Sequence, residues 1–301
     1  MTLSVVVTVV DGGATLERCL QALATQEGAP PLQVLVPYDA TVTGMEALAS
    51  RFPAFTFLPM GVVATEFDPL GARGQHELFD RRRSHGLAAA TGDVIGIVED
   101  RGVPTPDWAA TVMRLQASLP YAVIGGAVQN ASDRLLNWAV YFCDFGRYAR
   151  PFVAGERDWV TDVNVSYKRR AIDATRQLWQ GRYHEPVVHR AIQQAGDALY
   201  LTPEFAVFQM REPRPLRVML DERLQWGRLF AYTRIRTESV GRRFMYLAAA
   251  PLIPVVLFLR QARLQQTKGN FATFMKASPL VALLLLTWSV GEAIGYFTGK
   301  P

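Results

Sequence analysis

Cysteine is scarce in this chain of 301 residues: there are two, Cys19 and Cys143, far apart in sequence. That excludes a disulfide framework and any cysteine-based metal spacing. The expectation is two buried thiols in a reducing compartment. Lysine is scarce too, so the net charge of +5 rests mainly on arginine. No zinc-finger spacing, RNP-like segment or long basic tract accompanies that charge, which speaks against nucleic acid as the partner. Anionic lipid or phosphorylated substrates fit it instead. Asp11-Gly12-Gly13 lacks the Gly-any-Gly spacing of a dinucleotide loop, which sets redox nucleotide chemistry far behind other readings. The opening run LSVVVTVV has neither the basic start nor the small-residue cleavage site of a signal peptide. It is expected to be a strand of the mature fold, with the catalytic part cytoplasmic. Internal repeats and low-complexity tracts are missing as well.

What the chain does have is alternation. Leu3 to Val10 is continuous and β-branched, as a strand buried on both faces would be. Thr15 to Ala24 places Leu16, Cys19, Leu20 and Leu23 at helical spacing. Gln33 to Pro37 reads as a second strand ending at Tyr38-Asp39, Met45 to Phe52 as a helix, and Phe55 to Leu58 as a third strand. Residues 59–80, rich in Gly, Pro and charge, read as a loop before a helix from Arg81 to Ala90. The strand Asp93 to Val98 follows, and then Glu99-Asp100-Arg101. Further on come a helix from Pro106-Asp107-Trp108 to Leu119 and a strand from Tyr121 to Gln129. DVNVSY, Asp162 to Tyr167, is read as a strand, Val187 to Ala195 as a helix, and Tyr200 to Gln209 as a last strand. The order βαβα predicts an α/β fold with a mostly parallel, doubly wound sheet. Ligands of such sheets bind at the carboxyl ends of the strands, where Asp11, Asp39, Glu99 and Asp100 all stand. One such acid is ordinarily a turn residue or helix cap; acids after three of the strands are a stronger signal.

Half of the residues are apolar, and the surplus lies after residue 243. Phe244 to Leu259 is uncharged but short for a span and interrupted by Pro251 and Pro254, whereas Pro279 to Thr298 is twenty residues with one charge, Glu292. A membrane-crossing helix needs ~20 apolar residues, so the second segment qualifies and the first is marginal. The connector 260–276 carries Arg260, Arg263, Lys268 and Lys276 and no acid. Two full spans would place it outside, against the positive-inside tendency; a re-entrant or interfacial first segment removes the conflict. Two buried core helices are the other reading. The expected organisation is a domain over 1–235 and a C-terminal membrane-associated helical hairpin over 236–301.

SVVVTVVDGGATLERCLQAL, VLVPYDAT, SHGLAAATGDVIGIVEDRGVPTPDW, VNVSYKRRAI and the stretch from His184-Glu185-Pro186 to Ala195-Gly196 occur in one order over roughly residues 3 to 235. In that order they resemble family 2 glycosyltransferases. The resemblance implies a GT-A fold, a nucleotide-diphosphate sugar donor, and transfer with inversion at the anomeric carbon. It further implies that Asp11 and Asp39 lie at the nucleotide, where carboxylates can accept hydrogen bonds from the base or ribose; plain turn and cap roles are the alternative.

Glu99-Asp100-Arg101 falls where the family carries Asp-any-Asp, whose last aspartate holds a divalent cation. Arg101 replaces that aspartate. Three outcomes follow: Glu99 and Asp100 still hold Mg2+ or Mn2+, or Arg101 supplies part of the cation's charge at the diphosphate, or Arg101 pairs with a neighbouring acid. The family's acidic pair before a helix ending in Ala-Gly falls on His184-Glu185. Glu185 is thus the candidate base and His184 a residue that tunes it or contacts phosphate, while capping of the helix start is the plainer role. In ERLQWGR, Trp226 stands where processive members carry theirs, but Glu222 and Gln225 replace the Gln/Arg and Arg positions, which argues against a processive polymerase. Arg223 and Arg228 are left as contacts to diphosphate or to lipid headgroups.

The expected protein is therefore a membrane-associated, inverting, non-processive hexosyltransferase. Its localisation would be the cell inner membrane with a cytoplasmic catalytic domain, and its acceptor a lipid-linked molecule or a glycan in a polysaccharide-assembly route. The rival reading is a catalytically impaired scaffold that binds nucleotide sugar at the membrane.

Overall fold

The computed structural model describes residues 1–235 and 238–300. The expected domain boundary at 235/236 runs into Arg236, which lies outside the described residues. The chain forms two compact units. One comprises Met1–Leu70, Gly74–Ala131 and Arg150–Arg211; the other comprises Gly71–Arg73, Ser132–Ala149 and Glu212 onward.

The first unit begins with β1 (Leu3–Thr8), every residue of which is buried. Then come α1 (Gly13–Ala24), β2 (Gln33–Tyr38), α2 (Met45–Arg51), β3 (Thr56–Pro59), α3 (Ala72–Ala89) and β4 (Val94–Glu99). β3, β2, β1 and β4 lie side by side in that order, all parallel, with Val5 opposite Val34 on one side and Gly96 on the other. Their apolar runs follow from burial on both faces. Beyond β4 the sheet turns mixed. β5 (Gly102–Pro104), α4 (Trp108–Ser118) and β6 (Val123–Asn130) are followed, after a helix α5 (Leu135–Asp144) of the second unit, by β7 (Gly155–Arg157) and β8 (Asn164–Lys168). Then come α6 (Arg169–Ala174), α7 (Arg176–Trp179), α8 (Glu185–Gln194) and β9 (Leu199–Gln209). β8 runs antiparallel between β4 and β6, β6 is parallel to β9, and β5 and β7 pair with β9 antiparallel.

Because β1, β2 and β4 are parallel, their carboxyl ends share one edge of the sheet, and Asp11, Asp39, Glu99 and Asp100 are delivered there together. The antiparallel register of β8 matters equally. Val98 faces Asn164, so the residues entering β8 meet the carboxyl end of β4.

The loop expected over residues 59–80 gives way to α3 at Ala72, nine residues before the predicted helix start. Its buried face carries Glu77, Asp80, Arg82, Arg83 and Ser84 beside Leu78 and Leu87. A face filled with paired charges leaves no apolar periodicity to read.

The second unit holds α5, α9 (Leu216–Ile235), α10 (Val240–Ala249), α11 (Ile253–Thr267) and α12 (Phe271–Thr298). α10 and α11 run as one helix, Val240–Thr267, through a 3-10 turn at Ala250–Leu252. The prolines expected to interrupt it are accommodated because Pro251 and Pro254 each stand in the first turn of a segment, where no helical N–H is lost. α12 is the core of this unit. Phe274 stacks near Phe142 of α5 and Phe258 of α11, with ring centroids 5.4 and 5.3 Å away. Against α9, Gly227, Gly291 and Gly295 bring the two backbones together: a Cβ at Gly295 would sit 2.7 Å from both the Ala231 Cβ and the Arg228 carbonyl oxygen. Among the described residues, Val240–Thr267 and Phe271–Thr298 are the helices long and apolar enough to cross a membrane.

Candidate active site

The edge formed by the strand ends is dense with charge. Asp100, just past β4, points back into the β1–α1 turn, where its Oδ2 accepts the backbone N–H groups of Val10, Asp11 and Gly12 at 3.0, 3.0 and 2.7 Å. Those three donors converge because Gly12 adopts φ 68°, a conformation open to glycine and strained for other residues. Asp100 is wholly buried and its Oδ1 has no hydrogen-bond partner. Burial, together with the charge of Asp11, pushes its pKa up to about 7.

Arg101 turns to Asp11. Its Nε and Nη2 donate to the two carboxylate oxygens at 2.7 and 2.6 Å, a fork that closes the ends of β1 and β4 on each other. Of the three outcomes left open by the sequence, pairing with a neighbouring acid is the geometry present. Asp39 is engaged just as fully. Thr41 donates its N–H and hydroxyl to Oδ1 at 2.9 and 2.7 Å, and Arg82 Nε donates to Oδ2 at 2.6 Å. Burial alone would raise the Asp39 pKa, but the Thr41 donors and the Arg82 guanidinium hold it below the usual carboxylate value.

Arg83 sits at the centre. Its Nη2 lies 2.9 Å from Glu99 Oε1 and 3.1 Å from Asp162 Oδ2, and its Nη1 lies 3.5 Å from Asp80 Oδ1. Glu99, buried beside Asp162, has its pKa raised despite the arginine. Asp162 connects this group to the candidate base: its N–H donates to Glu185 Oε2 at 3.0 Å. Glu185 opens α8 with its side chain almost fully enclosed. Burial first, and then the charge of Asp162, lift its pKa to about 7. On its other side, Oε1 lies 3.4 Å from His189 Nδ1, one helical turn along α8. His189 Nε2 meets the Tyr167 hydroxyl at 2.7 Å, which meets that of Tyr183 at 2.6 Å. His184 stands at the N-cap of α8 without making a side-chain cap, and burial lowers its pKa.

The structure thus brings Asp11, Asp39, Glu99, Asp100, Arg101, His184 and Glu185 onto the first unit. Arg223, Trp226 and Arg228 belong to the second, on α9. There Arg223 forks onto Asp144 of α5 at 2.6 and 2.7 Å, with its guanidinium 5.7 Å from the Trp226 ring centre. Sequence reasoning missed Arg82, Arg83, Asp162 and His189. One signal was available: three consecutive arginines, Arg81 to Arg83, in a helix that has to pack on a sheet.

A divalent ion on Glu99 and Asp100 does not fit these residues. Asp100 is capped by three amides, Glu99 is held by Arg83, and a guanidinium fills the third position. Among the described residues no group of three or more His, Cys, Asp or Glu side chains is placed to hold a metal.

No protein-family model matches the chain, and no curated protein matches it. Solved structures do. The chain is similar to the mannosyltransferase PcManGT from Pyrobaculum calidifontis in complex with GDP-Man and Mn2+, at 13% identity over 99% of this chain and 88% of that one, with TM-score 0.59. It is also similar to S. aureus TarS 1-349 in complex with UDP-GlcNAc, at 11% identity over 100% of this chain and 93% of that one, with TM-score 0.50. At these identities the likeness shows the fold: GT-A, α/β, followed by two long apolar C-terminal helices.

Proposed function

We propose that the chain is an inverting glycosyltransferase of the family 2 type. It would move a sugar from a nucleotide-diphosphate donor to a lipid-linked or glycan acceptor, without processive extension. The observation that carries this is a buried carboxylate, Glu185, with its pKa raised to about 7, linked through Asp162 and Arg83 to Glu99 at the end of β4, on the sheet edge where Asp11 and Asp39 also stand. That arrangement stands on a fold shared with a mannosyltransferase bound to GDP-Man.

In this reading Asp39 accepts hydrogen bonds from the nucleoside. It is suited to that because Arg82 and Thr41 fix it as an ionised acceptor at the carboxyl end of β2. Glu185 takes the proton of the acceptor hydroxyl. The freed oxygen attacks the anomeric carbon from the face opposite the diphosphate, forming one C–O bond as the sugar–phosphate bond breaks. A base with a pKa close to the working pH is both ionised often enough and basic enough for this. The leaving diphosphate gains negative charge, and in this reading Arg101 meets it. The Asp11 fork uses Nε and Nη2, so the guanidinium has the Nη1 donors to offer a phosphate oxygen. No step is assigned to a metal ion.

The Asp11–Arg101 closure also favours the second reading, a scaffold that binds donor without turnover, because both groups already satisfy each other. A panel of nucleotide sugars separates the two. Thermal stabilisation by one donor, followed by release of its nucleoside diphosphate when a lipid-linked acceptor is supplied, is the expected result. Stabilisation with no release under any acceptor would favour the scaffold, and no stabilisation by any donor would remove both readings.

A further inference from the structure

The helix Val240–Thr267 keeps little of its apolar surface inside the protein. Phe244, Leu252, Val255, Val256 and Leu259 are all exposed, Phe244 by 63% and Leu252 by 65%. Together with the exposed Ala248 they recur at spacings of three and four, with Val256 beside Val255, and so form one continuous stripe. Exposed Arg260 and Arg263 continue that stripe at its C-terminal end. Charge along the segment is one-sided. Residues 240–298 contain six basic side chains, at 242, 243, 260, 263, 268 and 276, and a single acid, Glu292. That acid is buried, bonded by the Tyr296 hydroxyl at 3.1 Å and the Trp288 indole at 2.5 Å.

α12 is placed differently. Its C-terminal half lies against α9 so tightly that Gly227, Gly291 and Gly295 could carry no side chain. Over the same stretch α9 bears Asp221, Glu222, Arg223, Arg228 and Arg234. A helix zipped to so charged a partner is not surrounded by lipid, because the partner would have to carry those charges into hydrocarbon with it. The N-terminal half of α12 is covered by α5 and α11 through Phe142 and Phe258.

We propose that the second unit rides on a bilayer surface rather than crossing it. Val240–Thr267 lies in the plane of an anionic membrane, its apolar stripe among the upper acyl carbons and Arg260 and Arg263 at the lipid phosphates. α12, packed on α5, α9 and α11 although Leu283, Leu286 and Val290 stay exposed, is the strut that holds it there. Amphipathic helices bind interfaces in this way, by buried apolar area plus attraction to anionic headgroups. The inference rests on the lipid-linked acceptor in the functional reading above and gives the membrane association expected from the sequence a lipid class and a mode of contact.

The test uses the full-length chain. Sedimentation with vesicles of phosphatidylcholine containing about a third phosphatidylglycerol should exceed that with pure phosphatidylcholine at least tenfold, and the excess should shrink in half-molar salt, as expected of charged surface contacts. Leu252→Glu combined with Val256→Glu should lower vesicle binding at least tenfold, with the far-UV spectrum and donor-induced thermal shift unchanged. To read topology, Ser239→Cys and Asn270→Cys are exposed to a membrane-impermeant maleimide in inverted membranes and in intact cells, and the labelled peptides are identified by mass. Both positions should react in the same one of the two preparations. Labelling in opposite preparations would mean that the hairpin spans, overturning the in-plane mode while leaving membrane association intact. Equal binding to neutral and anionic vesicles would overturn the lipid class. Absence of sedimentation with either would overturn association itself. A lipid-free wild type that is dimeric, with the double variant monomeric, would assign the stripe to a second copy of the chain instead.

Discussion

Glu185 and Arg101 carry the sharpest residue-scale consequences. If Glu185 removes the acceptor proton, Glu185→Gln lowers kcat by ~10²–10⁴ while the donor-induced thermal shift persists. Turnover within a few-fold of the unaltered chain would dismiss it. The sign of the pH dependence follows from the base being active when ionised. With the pKa at about 7, activity climbs with pH through neutrality instead of through the ordinary glutamate range near 4.5. A rate profile flat from pH 5.5 to 8.5 would contradict this assignment. Linkage runs the other way: a carboxyl whose folded pKa is raised lends stability that is complete below its unfolded value and is lost as pH rises through about 7. Arg101→Ala should weaken donor binding and turnover together, whereas Arg101→Asp should introduce dependence on Mn2+ by offering the ligand that the arginine displaces. Metal charge at a leaving diphosphate is worth several kcal/mol, roughly the scale of the loss expected for the alanine variant. Chelator-sensitive activity in the unaltered chain, together with a silent Arg101→Ala, would make the arginine a bystander.

Among the elements, α9 and α12 invite a measurement on packing. Their approach leaves no volume at Gly291, where an added Cβ would run into the Leu224 carbonyl oxygen and lie 3.2 Å from the Arg228 nitrogen. Gly291→Leu should destabilise by at least the ~1–3 kcal/mol typical of overpacking, since backbone has to move. Gly241→Ala, which meets nothing within 4 Å, should leave stability unchanged or slightly higher. Thermal unfolding followed by circular dichroism compares them; equal midpoints would deny the close packing. α3 teaches a related lesson about legibility. Its buried face is written in Glu77, Asp80, Arg82 and Arg83, so a search for apolar spacing finds the helix nine residues late and overlooks the groups that organise the site.

For the molecule as a whole, a chain ending at residue 235 retains every strand of the sheet, since β9 closes at Gln209. It should keep its donor-induced thermal shift, as the proposed 1–235 division requires. It loses α12, however, and so uncovers the faces of α5 and α9 that pack on that helix. Aggregation relieved by mild detergent is expected, measured by light scattering. A truncated chain that no nucleotide sugar stabilises would refute the division. Linear boundaries describe this chain incompletely, because α5 belongs with the C-terminal helices although it is inserted within the sheet-forming sequence.

Local chemistry determined a good deal here without any structure. Continuous β-branched runs gave the buried parallel strands, and acids placed just after three of them marked the edge where Asp11, Asp39 and Glu99 now stand. Glu185 was singled out through the resemblance, from the acidic pair that precedes a helix ending in Ala-Gly, since an acid at a helix start reads locally as plain capping. Two long apolar segments were legible from composition alone. Only the tertiary structure decided what each charge does. Arg101 and Asp11 are 90 residues apart, Arg83 and Asp162 nearly as far, and pairing over such distances depends on which strands become neighbours and in which direction. The antiparallel insertion of β8 beside β4 places Asp162 between Arg83 and Glu185, and nothing in the alternation of strand and helix specifies that insertion. The same limit holds for the C-terminal helices: hydropathy is a property of a segment, whereas exposure depends on which face its neighbours cover.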